Sequence, residues 1–226
     1  MKLYLHLQLK SDATFGRGDG IPGVVDEEVE HDPITGLPFL RGKTLKGLLT
    51  EECSNLLFAL QLRKLNPLKS KLDKAAEYLF GQSGSGLHSQ GHLGISAARL
   101  PESLRSAVEY EINKKHLTSN QVLESLTAIR RQTAIDAETG AAEIGSLRAI
   151  RVILRETEFV SELILPEAAA NEAIQLLAAC AQMLHRAGTS RNRGRGRLCA
   201  WLEDDAGKNV SKDNLEEFYK MVEAAQ

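Results

Sequence analysis

The residues best suited to chemistry lie in three short segments. Asp26–Asp32, DEEVEHD, packs five carboxylates and one imidazole into seven residues. Carboxylate oxygens suit Mg²⁺ or Mn²⁺, and a carboxylate so placed can organise the ion and a water for phosphodiester chemistry. His31 could add a ligand or accept a proton. Taken by themselves, these residues are equally those of a solvated acidic loop.

The second segment, Gly36–Thr44, reads GLPFLRGKT and resembles a nucleotide-binding loop with one residue too many. That reading fails on physical grounds. A phosphate cradle needs converging backbone N–H groups from a glycine-rich loop of fixed length, and Pro38 has none to offer. What survives is a helix start at Gly42, Lys43 and Thr44, with Arg41 before it and Lys46 one turn on. Free amides at a helix N-terminus, flanked by cations, bind phosphate. Thr44 is the expected cap.

The third segment, Gly188–Leu198, GTSRNRGRGRL, sets Arg191, Arg193, Arg195 and Arg197 at alternate positions. Guanidinium groups so crowded repel one another unless an anion sits among them, and arginine prefers planar contact with phosphate. Ser190 and Asn192 belong to the same candidate loop. His88 and His92 have no nearby cysteine or carboxylate, which argues against zinc.

These segments must be positioned by a scaffold whose outline the pattern gives. Hydrophobic content of 42%, charged content of 26% and a net charge of −2 fit an ordinary globular protein, so a polyanion must be held by local patches. No apolar run is long enough to cross a membrane, and MKLYLHLQLK alternates too strictly for a signal peptide. A cytoplasmic protein without membrane association, with Cys53, Cys180 and Cys199 reduced and buried, is expected.

Leu3, Leu5, Leu7 and Leu9 share one face of a half-buried first strand. Leucines from Leu45 to Leu60 recur at helical spacing, and a second helix ends at Gly81. HLGISAARL is a candidate strand. Thr133–Leu165 reads as a projecting hairpin followed by a pair of core strands, and Pro166 opens an alanine-rich helix running to Gly188. RLCAWLE is a last strand, before a tail helix at 211–224. Without insertions the order is strand, helix, strand, strand, helix, strand, the ferredoxin-like arrangement, with one sheet face left for a ligand. Aromatic residues are only 5%, so RNA on such a scaffold would be held by its phosphates and shape.

The order of these segments resembles the RAMP superfamily, the repeat-associated proteins of CRISPR effector complexes, and most of all the repeating backbone subunit of type III complexes. Asp26, then Asp32-Pro33, Leu37-Pro38 and Gly42-Lys43-Thr44-Leu45-Lys46-Gly47 follow its N-terminal signature. Tyr78–Gly81 with LGISAARL, then TAIDAETGAAEIGSLR, then GTSRNRGRGRL resemble its later blocks. The resemblance implies one α+β domain over 1–226: a ferredoxin-like (RRM-like) palm at 1–100 and 148–204 with large insertions, a thumb hairpin at about 118–147, and a C-terminal helix at 211–224.

It further implies partners: a guide RNA (crRNA), single-stranded target RNA, and other effector subunits stacked in a filament. Arg41, Gly42, Lys43, Thr44, Lys46, Ser190, Arg191, Asn192, Arg193 and Arg195 would hold the guide. Asp26 matches the family's catalytic aspartate, which cuts target RNA with Mg²⁺ or Mn²⁺ beside each flipped-out base. Where the family has Pro-Gly-Ser-Ser, this chain has Arg41-Gly42-Lys43-Thr44, whose added cations suggest a specialised subunit of the type III-D branch. Two other functions fit the same residues. One is a non-catalytic backbone subunit; the other is a stand-alone guide-processing ribonuclease with His31 as its base.

Overall fold

The computed structural model describes residues 1–82, 90–143, 145–167 and 169–225; His88 lies outside them. Its centre is β1 (Lys2–Leu9). Leu5, Leu7 and Leu9 are 0% exposed, and this row of leucines is what the rest of the palm is built to cover. β5 (Glu158–Ile164) and β6 (Leu198–Asp204) pair with β1 on either side, both antiparallel. The two-residue β2 (Gly94–Ile95) adds to β5, giving the order β2-β5-β1-β6. The leucine face is covered by α1 (Gly42–Leu62), α2 (Asn66–Phe80) and α5 (Asn171–Met183). This is the expected α+β, ferredoxin-like palm.

Small residues let α5 lie close: Ala173, Ala178, Ala179 and Ala181 are all buried. Cys180 on α5 and Cys53 on α1 are buried, and contact with Cys53 together with burial pushes the Cys180 thiol well up. Cys199 is exposed, against expectation. It stands one residue out of phase with buried Leu198 and Ala200 on β6, so the pleat turns it outward. α6 (Ser211–Glu223) closes the chain and buries Phe218. No described helix is long and apolar enough to cross a membrane.

Helix ends and strand partners depart from expectation in three places. α1 begins at Gly42 with Arg41 at the cap position, so Thr44 lies inside its first turn and caps nothing. α5 begins at Asn171, after Ala170, with Pro166 in the connection before it, and ends at Met183 instead of Gly188. The third departure is β4 (Arg148–Ile153), which leaves the palm sheet and pairs with β3 (Thr127–Gln132) as a separate two-stranded ribbon. Ile150, Arg151, Val152 and Ile153 are buried in succession, because the ribbon is covered on both faces at its base. Before the ribbon come α3 (Glu102–Asn113) and α4 (Ser119–Leu126). Thr118 starts α4 with a capping box: its hydroxyl accepts from the Gln121 N–H while the Gln121 side chain accepts from Thr118 N–H.

Two glycines lock the connection before β6: Gly188, at φ +92°, would put a Cβ 2.4 Å from the Thr14 carbonyl oxygen, and Gly196 is tighter still. Gly196 has φ +67°, and a Cβ there would lie 1.9 Å from the Ala187 carbonyl oxygen. Gly207 has a similar φ, +75°, with nothing within 4 Å. Gly196→Ala should therefore lower unfolding free energy by about 3 kcal/mol, and Gly207→Ala by about 1 kcal/mol. Urea denaturation of the two variants measures the difference, and equal losses would remove steric contact as the cause.

Candidate nucleic-acid interface

The acidic loop lies along the outer edge of β4. Asp26 N–H donates to Ala149 O at 2.7 Å, Arg151 N–H donates to Glu27 O at 3.0 Å, and Ala13 exchanges hydrogen bonds of 3.0 and 2.7 Å with Ile153. Side chains fix the register. Glu28 is 0% exposed and sits against Arg151, whose Nε lies 2.9 Å from Glu28 Oε1 and donates to Oε2 at 3.0 Å. Arg151 Nη1 also donates to the Thr127 hydroxyl at 3.2 Å, and Val29 N–H donates to Glu28 Oε1 at 2.9 Å. A buried charge pair needs this many partners to offset its desolvation.

The acids of DEEVEHD therefore part company. Glu28 serves the buried pair, and the Glu27 carboxylate lies 2.8 Å from where a Cβ on Gly16 would be. Glu30 sits 2.6 Å from the Arg41 guanidinium, though without a well-aligned hydrogen bond. Burial works to raise the Asp32 carboxyl, but the N–H groups of Thr35 and Ile34 and the Thr35 hydroxyl outweigh it and hold it below the ordinary value. His31 is half-buried with Nδ1 2.9 Å from Val29 O, and bridges to Pro38 on the far strand of the turn.

Asp26 alone of the segment lines the cleft at the outer end of the β3–β4 ribbon. This cleft, about 630 Å³, is walled by the Gly20–Val25 turn on one side and by Arg131, Leu147 and Ala149 on the other. Ala149 N–H donates to Asp26 Oδ2 at 2.7 Å, which fixes the carboxylate and leaves Oδ1 without a hydrogen bond to any described residue. Among the described residues no group of three His, Cys, Asp or Glu side chains could hold a metal ion. Asp26 is thus a single carboxylate, and a cation held there would need its remaining ligands from outside the described residues.

The start of α1 presents free N–H groups to solvent. It carries no side-chain cap and no acidic residue in its first turn, so its leading N–H groups keep their partial positive charge. Lys43 and Thr44 are exposed and Lys46 half-buried around it. Gly42 is required by space: a Cβ would stand 2.5 Å from Ile95 O. Arg41 and Thr44 share a cleft of about 270 Å³ with Gly188 and Thr189, so the helix start and the glycine-rich loop are brought together. Arg191 strengthens that junction by donating to both oxygens of Glu51 on α1, each at 3.0 Å.

The four alternating arginines are consequently not one patch. Ser190, at φ 56°, and Gly194, at φ 82°, bracket a single 3-10 turn at Arg191–Arg193 that redirects the chain. Arg193 and Arg195 then face a second cleft, about 690 Å³, with Lys10, Arg130 and Arg155. Arg195 Nη1 is buried there without a hydrogen-bond partner. Asn192 is exposed between the two groups. Lys10 and Arg155 are lone cations in a strand end and a turn, and Arg130 is one of two adjacent arginines inside β3, so none carries a distinctive local signal. The uncovered sheet face, by contrast, carries Glu158, Glu162 and Glu203, with His6 stacked on Trp201 at 5.1 Å between Glu158 and Glu203. Lys2 pairs with Glu162 at 2.7 Å, so an excess of acid remains on that face and disfavours phosphate there.

The sequence matches the RAMP superfamily profile over residues 6–199. The chain belongs to the RAMP superfamily. Its fold is similar to a chain of type III-B Cmr-beta in the apo state, with TM-score 0.61 and 14% identity, covering 91% of this chain and 98% of that one. A chain of type III-B Cmr-beta bound to cognate target RNA aligns with TM-score 0.61 and 12% identity, covering 95% and 99%. A chain of a type IV-B CRISPR complex aligns with TM-score 0.57 and 15% identity, covering 92% of each. No curated protein matches the chain by sequence.

Because Glu51 neutralises Arg191, Glu51→Gln should free a guanidinium beside the helix start. RNA affinity is expected to rise about threefold at low salt, with a steeper fall as salt increases. Binding isotherms across a salt series check this, and an unchanged slope would place Arg191 away from the RNA.

Proposed function

We propose that this chain is a backbone subunit of a type III CRISPR ribonucleoprotein, that it binds guide RNA along the strand's phosphates, and that it cleaves complementary target RNA at regular intervals through Asp26. The observation that carries the catalytic part is the placement of Asp26. It is the one carboxylate of its segment that lines the thumb cleft, and it is held there by the Ala149 N–H. The guide would follow the basic path from Arg41, Gly42, Lys43, Thr44 and Lys46 through Ser190, Arg191 and Asn192 to Arg193 and Arg195. Neighbouring subunits would stack on it as a filament in the cytoplasm. The III-D assignment rests on the cations of Arg41-Gly42-Lys43-Thr44.

In this reading the thumb ribbon splays the target so that one nucleotide enters the cleft. Attack by the adjacent 2′-oxygen on phosphorus expels the 5′-oxygen, leaving a 2′,3′-cyclic phosphate and a 5′-hydroxyl. Asp26, whose Oδ2 is held by the Ala149 N–H while Oδ1 has no hydrogen bond to a described residue, orients the 2′-hydroxyl and accepts its proton. Mg²⁺ or Mn²⁺, held by Asp26 and RNA oxygens, would supply positive charge to the phosphate being cut. His31 has no part in this chemistry, because its Nδ1 is directed to Val29 O and it does not line the cleft.

In a reconstituted complex, Asp26→Ala should keep target binding within about twofold and slow one set of regularly spaced cuts by at least about 100-fold. Persistence of every cut would overturn the catalytic assignment and leave a purely structural subunit. Loss of repeat cleavage by the isolated protein on His31→Ala would instead favour a guide-processing enzyme.

A further inference from the structure

The cleft that Asp26 lines is lined also by a second charged side chain that the reading above does not use. Arg130 and Arg131 are consecutive on β3, so the pleat sends them to opposite faces of the ribbon. Arg130 is engaged: its Nε and Nη2 donate to Asp12 Oδ2 at 3.0 and 2.8 Å beside the basic cleft. Arg131 lines the Asp26 cleft, is exposed, and makes no ion pair with any described residue.

The ribbon's hydrogen bonding places Ala149 between the two groups. Arg131 pairs with Ala149 across the ribbon. Ala149 spends its N–H on Asp26 Oδ2 and its C=O on Asp26 N–H, so both point away from β3. Arg131 and Ala149 are therefore a non-hydrogen-bonded pair, the closely spaced kind, with Cα atoms about 4.5 Å apart. The Arg131 side chain rises from the position next to the residue that holds the Asp26 carboxylate. Apolar side chains complete the cleft: Val24 is 51% exposed and Leu147 65% exposed, flanking Pro22. An anionic group, a cationic group and apolar walls in about 630 Å³ suit one unstacked nucleotide better than a continuous backbone.

We infer that Arg131 is a catalytic residue, binding the non-bridging oxygens of the scissile phosphate opposite Asp26. The inference rests on the proposed RNA cleavage. As the 2′-oxygen bonds to phosphorus, its proton passes to Asp26 and negative charge accumulates on the non-bridging oxygens. The P–O5′ bond then breaks, and the departing oxygen takes a proton from water. The guanidinium meets the accumulating charge with two parallel N–H donors, which a lysine cannot reproduce. The opposed charges of Asp26 and Arg131 also fix which side of the phosphate faces each.

The test is single-turnover cleavage and target affinity, measured separately, in complexes carrying R131A, R131K or D26A. R131A is expected to cut about 100-fold more slowly, with target affinity changed less than about threefold and R131K recovering part of the rate. A phosphorothioate replacing one non-bridging oxygen at the cut should slow the wild type and add little further loss to R131A. A merely structural role would not produce that non-additivity. R131A cutting at the wild-type rate where D26A is inactive would overturn the inference, as would equal losses of binding and rate. D26A that still cuts would instead overturn the underlying reading of cleavage.

Discussion

The buried pair of Glu28 and Arg151 is the constraint on which the working surface depends. Neither charge can be left alone at that depth, so the acidic loop and β4 must meet in one register wherever else the loop might lie. Thr127 on β3 and the Val29 N–H complete the shell, which ties three separate parts of the chain together. Asp26 is only two residues from Glu28, so the register that satisfies the pair also sets Asp26 against Ala149. A loop of five carboxylates in seven residues would otherwise expand by self-repulsion. Here each carboxylate meets a different neighbour, and the one left facing the cleft is the one at the ribbon.

The same economy of geometry separates two kinds of surface on one ribbon. Alternation along β3 turns Arg130 to the cleft shared with Arg193 and Arg195, and Arg131 to the cleft of Asp26. Alternation along β1 sends leucines inward, and leaves His6 on a face whose strands bear Glu158, Glu162 and Glu203. The sheet face that many proteins of this topology leave open is thereby closed to a polyanion. On the proposed reading, phosphate goes instead to the helix start, the glycine-rich loop and the β3–β4 ribbon. For a chain of net charge −2, this local sorting does what overall charge cannot.

What was legible in the sequence follows from the range of the forces involved. The leucine alternation of β1 and the helical spacing of α1 are local signals, and the elements they announce are present. The strand order follows from the order of elements once the insertions are set aside. The partner of β4 was not legible, because RAIRVI has the same composition whether it joins the palm or the ribbon. Its assignment is made by Glu28, more than a hundred residues away, through a bond between side chains. The candidate site divides in the same way. Asp26, Lys43 and the arginine loop stand in recognisable segments, whereas Arg131, Lys10, Arg130 and Arg155 acquire meaning only from what the fold sets beside them. Arg191 was visible as a cation but its neutralisation by Glu51 was not.

The segment from Lys10 to Gly16 joins the two clefts mechanically. Gly196 N–H donates to Asp12 O, and Thr189 N–H to Thr14 O, fastening both ends of the glycine-rich loop to it. On its other side Ala13 pairs with Ile153, Asp12 accepts from Arg130 and from Arg155 N–H, and the Thr14 hydroxyl donates to Arg151 O. A strand of RNA bound at the glycine-rich loop and one bound at the ribbon would therefore press on the same six or seven residues of main chain. Closely packed, hydrogen-bonded segments transmit such displacements instead of absorbing them. If the proposed reading holds, the spacing between a phosphate at Arg193 and one near Asp26 is set through this hydrogen-bonded main chain.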